Sequence, residues 1–280
     1  MQNASAPGGP LSATHNSEES DQLQLTSGAE ATIPIGIVGA AGRMGQRLVA
    51  LAQSHPRLRV VAEYDIALPI TAAHVRGAGC RCLIDFSSPA ALPATLDACR
   101  GAGAALVLGT TGLEPADDAR VAEAAEQVAL LQASNFSIVV NVLHHLARQA
   151  VQILGDGWDR EVLEAHHRYK ADAPSGTALA LAETLARAAG LDPGEAIRTT
   201  RSGPDVVRQP DEVTVQSIRI GDHAGEHTVY LAAPGERLEL RHVSTSRDSY
   251  ATGALRAAAW LAGQPAGRYR IEQVLGLDPG

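Results

Sequence analysis

The sequence predicts an α/β protein: a doubly wound parallel sheet, then an α+β lobe with a mixed, largely antiparallel sheet. Three observations lead there. Short apolar runs alternate with helix-length segments from Ile33 to about residue 135, and a Gly-rich turn joins the first run to the first helical segment. Further on, three strand-like runs between 213 and 243 follow one another with no long helix between them.

The elements follow in order. Residues 33–38 form a short β-branched run, and 44–53 have helical spacing after a Gly-rich turn. A second strand is expected at 58–64, an irregular stretch at 67–79 and a third strand at 82–86. A helix over 89–100 should end at Gly101, and a strand at 104–108 precedes a helix at 115–128. The fifth strand is 129–133. Such alternation places helices on both faces of a parallel sheet. Beyond Asn135 the pattern changes: a long helix at 141–154, a strand at 161–165, and a helix at 177–189 stopped by Gly190. Strands at 213–218, 227–232 and 238–243 and an Ala-rich helix at 250–261 complete the chain.

A length of 280 residues, 45% of them hydrophobic, suffices for two lobes with their own cores. Aromatic residues are only 3%, so those cores rest on Ala, Val, Leu and Ile. The formal charge of -8 argues against nucleic acid, which is held by a basic surface. No apolar run approaches the roughly 18 residues that suggest a membrane span. The first 31 residues have no Lys or Arg and no apolar stretch, so they read as a disordered tail rather than a signal peptide. Cys80, Cys82 and Cys99 are odd in number and lack a metal-ligand spacing. They read as reduced thiols of a cytoplasmic protein.

The first strand runs into Gly39-Ala40-Ala41-Gly42-Arg43-Met44-Gly45. Glycines permit a tight turn and a close approach to a pyrophosphate, and the helix that follows offers unpaired N–H groups to the anion. The spacing is GxxGxxG rather than GxGxxG, so a plain strand–helix turn is the structural alternative. Asp65 closes the second strand 20 residues after Gly45, where a carboxylate can accept from ribose hydroxyls and repel a 2′-phosphate. That favours NADH over NADPH, although Arg43 is within reach of a 2′-phosphate. Gly109-Thr110-Thr111-Gly112 and Ala133-Ser134-Asn135-Phe136 lie at the ends of the fourth and fifth strands, where ligands of such sheets sit.

The run Glu164-Ala165-His166-His167-Arg168-Tyr169-Lys170-Ala171-Asp172-Ala173-Pro174-Ser175-Gly176-Thr177-Ala178 carries the densest chemistry. Of 23 basic residues 22 are Arg, and Lys170 is the one lysine; Lys, unlike Arg, can be tuned to give up a proton. Cations at His167 and Lys170 suit carboxylates, as do the amides of Gly176 and Thr177 at a helix start. A histidine delivers protons near neutral pH. A metal would need a third, regularly spaced ligand, which is lacking, and there is no HExxH. A basic loop capped by Ser175 or Asp172 is the structural alternative.

The string HHRYKADAPSGTA, with GAAGRMG at 39–45, DFSSP at 85–89, GTTG at 109–112, SNFSIVVN at 134–141 and GEHT at 225–228, resembles the dihydrodipicolinate reductases in order and spacing. The resemblance covers almost everything from Ile33 onward. It implies a Rossmann-like dinucleotide-binding domain over 32–137 and 247–280, and a substrate-binding and oligomerisation domain over 138–246, in a homotetramer. It implies His166 as the acid–base histidine and Lys170 as a second proton donor. His167, Ser175, Gly176 and Thr177 would bind the carboxylates of a small cyclic dicarboxylate. Gly39, Ala40, Ala41, Gly42, Arg43, Met44, Asp65, Gly109, Thr110, Thr111, Ala133, Ser134, Asn135 and Phe136 would contact the nicotinamide cofactor. The implied reaction is reduction of 4-hydroxytetrahydrodipicolinate, by way of a dehydrated imine, in lysine and diaminopimelate biosynthesis. Lobe closure would hinge near 135–141 and 244–247. A related amino-acid dehydrogenase, or a dinucleotide sensor without catalysis, are the competing expectations. Three departures stand out: the segment between Asp65 and Cys80 is short for the family, Val139 replaces a common Gly, and the tail has no counterpart.

Overall fold

The computed structural model describes residues 31–246 and 248–277; all but the last residue of the expected tail lies outside them. The first strand, β1 (Ile33–Val38), leads to α1 (Arg43–Ala52), then β2 (Leu58–Tyr64), α2 (Ala72–Gly77) and β3 (Cys82–Asp85). A 3₁₀ turn (Pro89–Ala91) opens α3 (Leu92–Ala102), followed by β4 (Ala105–Leu108), α4 (Pro115–Ala125) and β5 (Ala129–Gln132). Then come α5 (Ile138–Leu154), β6 (Asp159–His166), α6 (Gly176–Ala188), α7 (Pro193–Ala196) and β7 (Ile197–Arg198). Three strands follow, β8 (Val213–Arg219), β9 (Gly225–Ala233) and β10 (Glu236–Ser244). The described chain finishes with α8 (Asp248–Leu261), β11 (Gly267–Tyr269) and α9 (Ile271–Leu275).

Six strands form the first sheet in the order β11-β5-β4-β3-β1-β2, all parallel. Its middle strands are buried on both faces, which is why they read as unbroken apolar runs. Alternation divides them between two cores. Ile35, Ile37, Ile84, Val107 and Leu131 face one core, with Leu48 of α1 and Ala254, Leu255 and Ala258 of α8. Val38, Leu83, Leu106, Leu108 and Leu130 face the other, with Val75 of α2, Leu96 of α3 and Val121 of α4. The order reverses between β1 and β3, and loops at that reversal open onto the crevice where ligands of such sheets bind.

The second sheet, β10-β9-β6-β8-β7, is mixed. Its antiparallel pairings, β10 with β9 and β9 with β6, are longer in total than the parallel ones of β8 with β6 and β7. Helices α5 and α6 cover one face, packing Leu143, Ala147, Leu181 and Leu185 on Val162, Val215 and Val229. After β10 the chain returns to the first sheet, where α8 covers one face and β11 extends the edge beside β5.

The structure departs from the sequence expectations in several places. The stretch at 67–79 is not irregular: it holds α2, capped by the Thr71 hydroxyl, which accepts from the His74 amide. The third helix runs through Gly101 to Gly103, which takes the left-handed φ of 68° that ends it. Helix α5 starts three residues early, because Ser137 accepts from the Val140 amide and three β-branched residues then enter the helix. The short elements α7, β7, β11 and α9 have too few residues to show a period.

Candidate active site

At the head of β1 the chain turns at Gly39, whose φ of 80° and 2.9 Å distance from a would-be Cβ to the Ser87 Cα both favour glycine. Gly39 and Ala40 donate to the Tyr64 carbonyl at 2.9 and 3.2 Å. Asp65 accepts from the Ala41 and Ile66 amides, both at 2.8 Å, and these two N–H groups hold its carboxyl below the usual range. Helix α1 begins at Arg43 with no side-chain cap and no acidic residue in its first turn. Its uncapped amides therefore fit an anionic pyrophosphate, and Asp65 beside them fits a ribose. Arg43 is exposed there, while Ala40 is buried and Met44 packs on the first core.

The neighbouring strand ends interlock. A Cβ at Gly109 would stand 2.3 Å from the Phe86 ring, and Phe86 lies 5.4 Å from the Phe136 ring. Thr110 is buried and donates to the Asp85 carboxylate at 3.1 Å, and Ser87 donates to the same oxygen at 2.6 Å. Burial raises the Asp85 carboxyl despite these bonds. Phe136, expected among the cofactor contacts, is 1% exposed; its side chain backs the loop from the core.

On the second sheet, alternation along β6 turns Val162, Glu164 and His166 toward the helix-covered face. Glu164 is fully buried and accepts from His166 Nδ1 at 2.5 Å, from Arg219 at 2.8 and 2.9 Å and from the Ser175 amide at 3.1 Å. Burial alone would raise this carboxyl, but the bonds from His166, Arg219 and Ser217 outweigh it and hold Glu164 well below the usual range. His227 of β9 lies edge-on to His166 at 5.3 Å and stacks on His242 of β10 at 5.7 Å. Burial and these two neighbours push His227 down to about 3, so it is neutral. Its Nε2 is 3.4 Å from the Ser175 hydroxyl, which also caps α6 by accepting from the Ala178 amide.

The loop after β6 is tied to the β8–β9 connection by the His167 and Arg168 amides, which donate to the carbonyls of His223 and Gly221. Lys170 Nζ is 2.8 Å from Asp172 Oδ1, and this hydrogen bond, with the ammonium charge adding to it, lowers the Asp172 carboxyl. The buried His167 Nδ1 has no partner among the described residues. Nothing lies within 4 Å of where a Cβ on Gly176 would stand, so the start of α6 is open.

A cleft of about 1080 Å³ joins the two sets of residues. Thr111, Ala133, Ser134 and Asn135 line one side; His166, His167, Lys170, Ser175, Gly176 and Thr177 line the other. Asn135 Nδ2 donates to Thr177 Oγ1 at 3.1 Å across it. The Gly39–Met44 turn, Asp65, Gly109, Thr110 and Phe136 do not line this cleft. The cleft also includes residues the sequence reasoning passed over: Asn141, His144, His145 and Arg148 of α5, and Arg270 near the end. The adjacency of His144 and His145 is the one sequence signal that could have pointed to them; Arg270 carries none. No group of three or more His, Cys, Asp or Glu among the described residues is arranged to hold a metal, and the three cysteines are free and buried.

Two family models match the chain: the dihydrodipicolinate reductase N-terminus over residues 33–136, and the C-terminus of the same family over 139–275. The chain belongs to the dihydrodipicolinate reductase family. Among curated relatives, a 4-hydroxy-tetrahydrodipicolinate reductase of Anaeromyxobacter dehalogenans is 43% identical over 264 residues, covering 87% of this chain and 98% of its own. One from Dechloromonas aromatica is 40% identical, with the same coverage of both chains. A dipicolinate-bound dihydrodipicolinate reductase from Paenisporosarcina shares the fold at a TM-score of 0.70 and 21% identity, over 86% of this chain and 98% of that one. The fold extends to GenD2 of gentamicin A biosynthesis, solved with NAD, at a TM-score of 0.55 and 14% identity, over 89% and 92% of the two chains. Between the two family matches lie only Ser137 and Ile138, the cap and first residue of α5. No helix among the described residues is long and apolar enough to cross a membrane.

Proposed function

We propose that this chain reduces 4-hydroxytetrahydrodipicolinate, by way of its dehydrated cyclic imine, to tetrahydrodipicolinate in lysine and diaminopimelate biosynthesis. The observation that carries this is the single cleft in which Thr111 and Ala133–Asn135 face His166, His167, Lys170 and the open start of α6. Family membership and 43% identity to a named reductase support the same reaction.

The cofactor would lie along Gly39, Ala40, Ala41, Gly42, Arg43 and Met44, with Asp65 at its ribose. Gly109–Thr111 and Ala133–Asn135 would bring it toward the cleft. When bound, the reduced nicotinamide supplies a hydride to the ring carbon that has lost the hydroxyl. The substrate's electron density then moves toward its nitrogen, and the molecule must gain one proton. His166 manages that proton, and Lys170 assists. His167, Gly176 and Thr177 hold carboxylates, the last two through amides that lack an intrahelical acceptor. Ser175, which also caps α6, lines the cleft beside them and joins this carboxylate site. The division into a cofactor domain (32–137 and 247–280) and a substrate domain (138–246) fits the two sheets. The anionic Asp65 supports NADH over NADPH. A cytoplasmic homotetramer is part of the same reading, and a partly apolar row on the helix-free face of the second sheet, Ile218, Ala165, Glu226 and Val243, supports an interface between copies there.

The test is oxidation of NADH and NADPH by the purified protein, with substrate made in place from pyruvate and aspartate semialdehyde by the preceding synthase. Synthase-dependent loss of absorbance, faster with NADH, is expected. No loss with either cofactor would refute the reaction, and a faster rate with NADPH would refute the role given to Asp65.

A further inference from the structure

We infer that Glu164 is the positioning residue for His166: it fixes the imidazole with Nδ1–H directed inward and Nε2 directed to the cleft, and Arg219 keeps the carboxylate in place. This rests on the reading of His166 as the acid–base group.

Three observations support it. First, the two residues are separated by one position on β6, so alternation points both side chains the same way, and His166 Nδ1 sits 2.5 Å from Glu164 Oε2. Second, the carboxylate has nowhere else to turn. Arg219 Nη2 and the Ser175 amide donate to Oε1, while Arg219 Nη1 donates to Oε2. Arg219 is itself braced, since Nη2 donates to the Asp172 carbonyl at 2.5 Å. An ionised carboxylate only accepts hydrogen bonds, so the imidazole nitrogen facing it must carry a proton. The proton exchanged with a ligand is then the one on Nε2. Third, the residue facing Nε2 carries no side chain to crowd it. A Cβ on Gly225 would stand 3.0 Å from it, and Gly225 has a φ of 152°. His166 lines the cleft, whereas Glu164 is wholly buried behind it.

The other charged or titratable groups around His166 do not take this part. His227 of β9 meets the ring edge-on rather than by a hydrogen bond and is neutral. Lys170 and Asp172, in the loop after β6, pair with each other. Ser217 and Arg219 of β8 act on Glu164. A carboxylate that sets the tautomer and stabilises the imidazolium contributes through the histidine without touching substrate.

The experiment compares wild type with Glu164→Gln and with the double variant Glu164→Gln/Arg219→Met, which removes both charges together and leaves no guanidinium deprived of its carboxylate partner. Two readouts are taken on the full chain: steady-state kcat and KM with the synthase-made substrate, and ¹⁵N NMR of histidine-labelled protein, with His166 assigned from a His166→Gln sample. Expected is a kcat lowered on the order of 10- to 100-fold, part of what a positioned acid–base group contributes. KM should change less than about threefold, and the Nδ1–H tautomer of His166 should be lost. Variants that keep both wild-type kcat and the wild-type tautomer would overturn the inference. So would a wild-type His166 protonated on Nε2 alone. Failure of the underlying reaction would look different: wild type itself would not oxidise cofactor with the dicarboxylate, whatever the tautomer in the variants.

Discussion

Gly45→Ala adds one methyl group where α1 meets the turn that precedes it. Its Cβ would stand 2.1 Å from the Gly39 carbonyl oxygen and 2.6 and 2.7 Å from the Cα and oxygen of Ala40. All three atoms are backbone. Gly39 and Ala40 are anchored by their bonds to the Tyr64 carbonyl, and the oxygen struck is the acceptor of the Gly42 amide at 3.0 Å. The helix must move away by about 1 Å, or the turn must open. Overpacking of this kind costs about 1–3 kcal/mol. The upper end applies because no side chain can swing aside, and the gain of roughly 1 kcal/mol from Ala in a helix offsets part of it. The net loss is about 2 kcal/mol, or a fall in Tm of about 4–8 °C for a chain of this size. Because the displaced amides are the proposed pyrophosphate donors, the Kd for NADH should rise about tenfold or more. Gly77→Ala is the internal control. It makes the same chemical change at an exposed helical position with no atom within 4 Å, and should stabilise by about 0.4–1 kcal/mol. Thermal unfolding and fluorescence titration of NADH measure both. A Gly45→Ala protein that matches Gly77→Ala in Tm and Kd would refute the account of this turn.

Two further outcomes are expected. Buried His227 is held at about 3, below its ordinary 6.5, so from pH 6.5 downward the unfolded chain binds a proton that the folded chain does not. Stability should therefore be complete above about pH 6.5 and decline as pH falls toward 3, by about 2 kcal/mol at pH 5. Urea unfolding of His227→Phe should show a flatter decline between pH 7 and 5 than wild type, and equal slopes would remove His227 as the cause. Lys170→Arg keeps the cation beside Asp172 but not a tunable proton donor, so kcat should fall more than KM rises. Near-wild-type turnover would exclude Lys170 as a proton donor.

Much of the fold was legible because its strands are simple. Ile33–Val38 and Leu58–Tyr64 were bounded correctly, since β-branched runs between turns have few other readings. Helix α2 was not legible: the residues at 67–79 bury little beyond Val75 and Ile70, so no period stands out, and the Thr71 cap alone is a weak sign. In the cleft, chemistry concentrated in one segment was visible, as with His166, Lys170 and Ser175–Thr177. What came from afar was not. Arg219 lies 55 residues from Glu164, and His242 meets His227 only through the register of β10 on β9. Glu164 itself was quoted as the start of a motif but given no role, because an acidic residue in a strand shows its purpose only when its neighbours are seen.

The return of the chain to its first sheet bears on the order in which the protein can be completed during synthesis. A ribosome finishes β1 to β5 early, yet the face of that sheet bearing Ile35, Ile37, Ile84 and Val107 waits for Ala254, Leu255, Ala258 and Leu261 of α8. More than a hundred residues must be translated in the interval, among them every strand of the second sheet. At roughly 5–20 residues per second, that apolar face has only α1 to cover it for several seconds or more. The nascent chain is therefore most exposed to misassociation just before α8 emerges, and any product cut short between β10 and α8 would carry a complete second sheet beside a first sheet with one face covered by α1 alone.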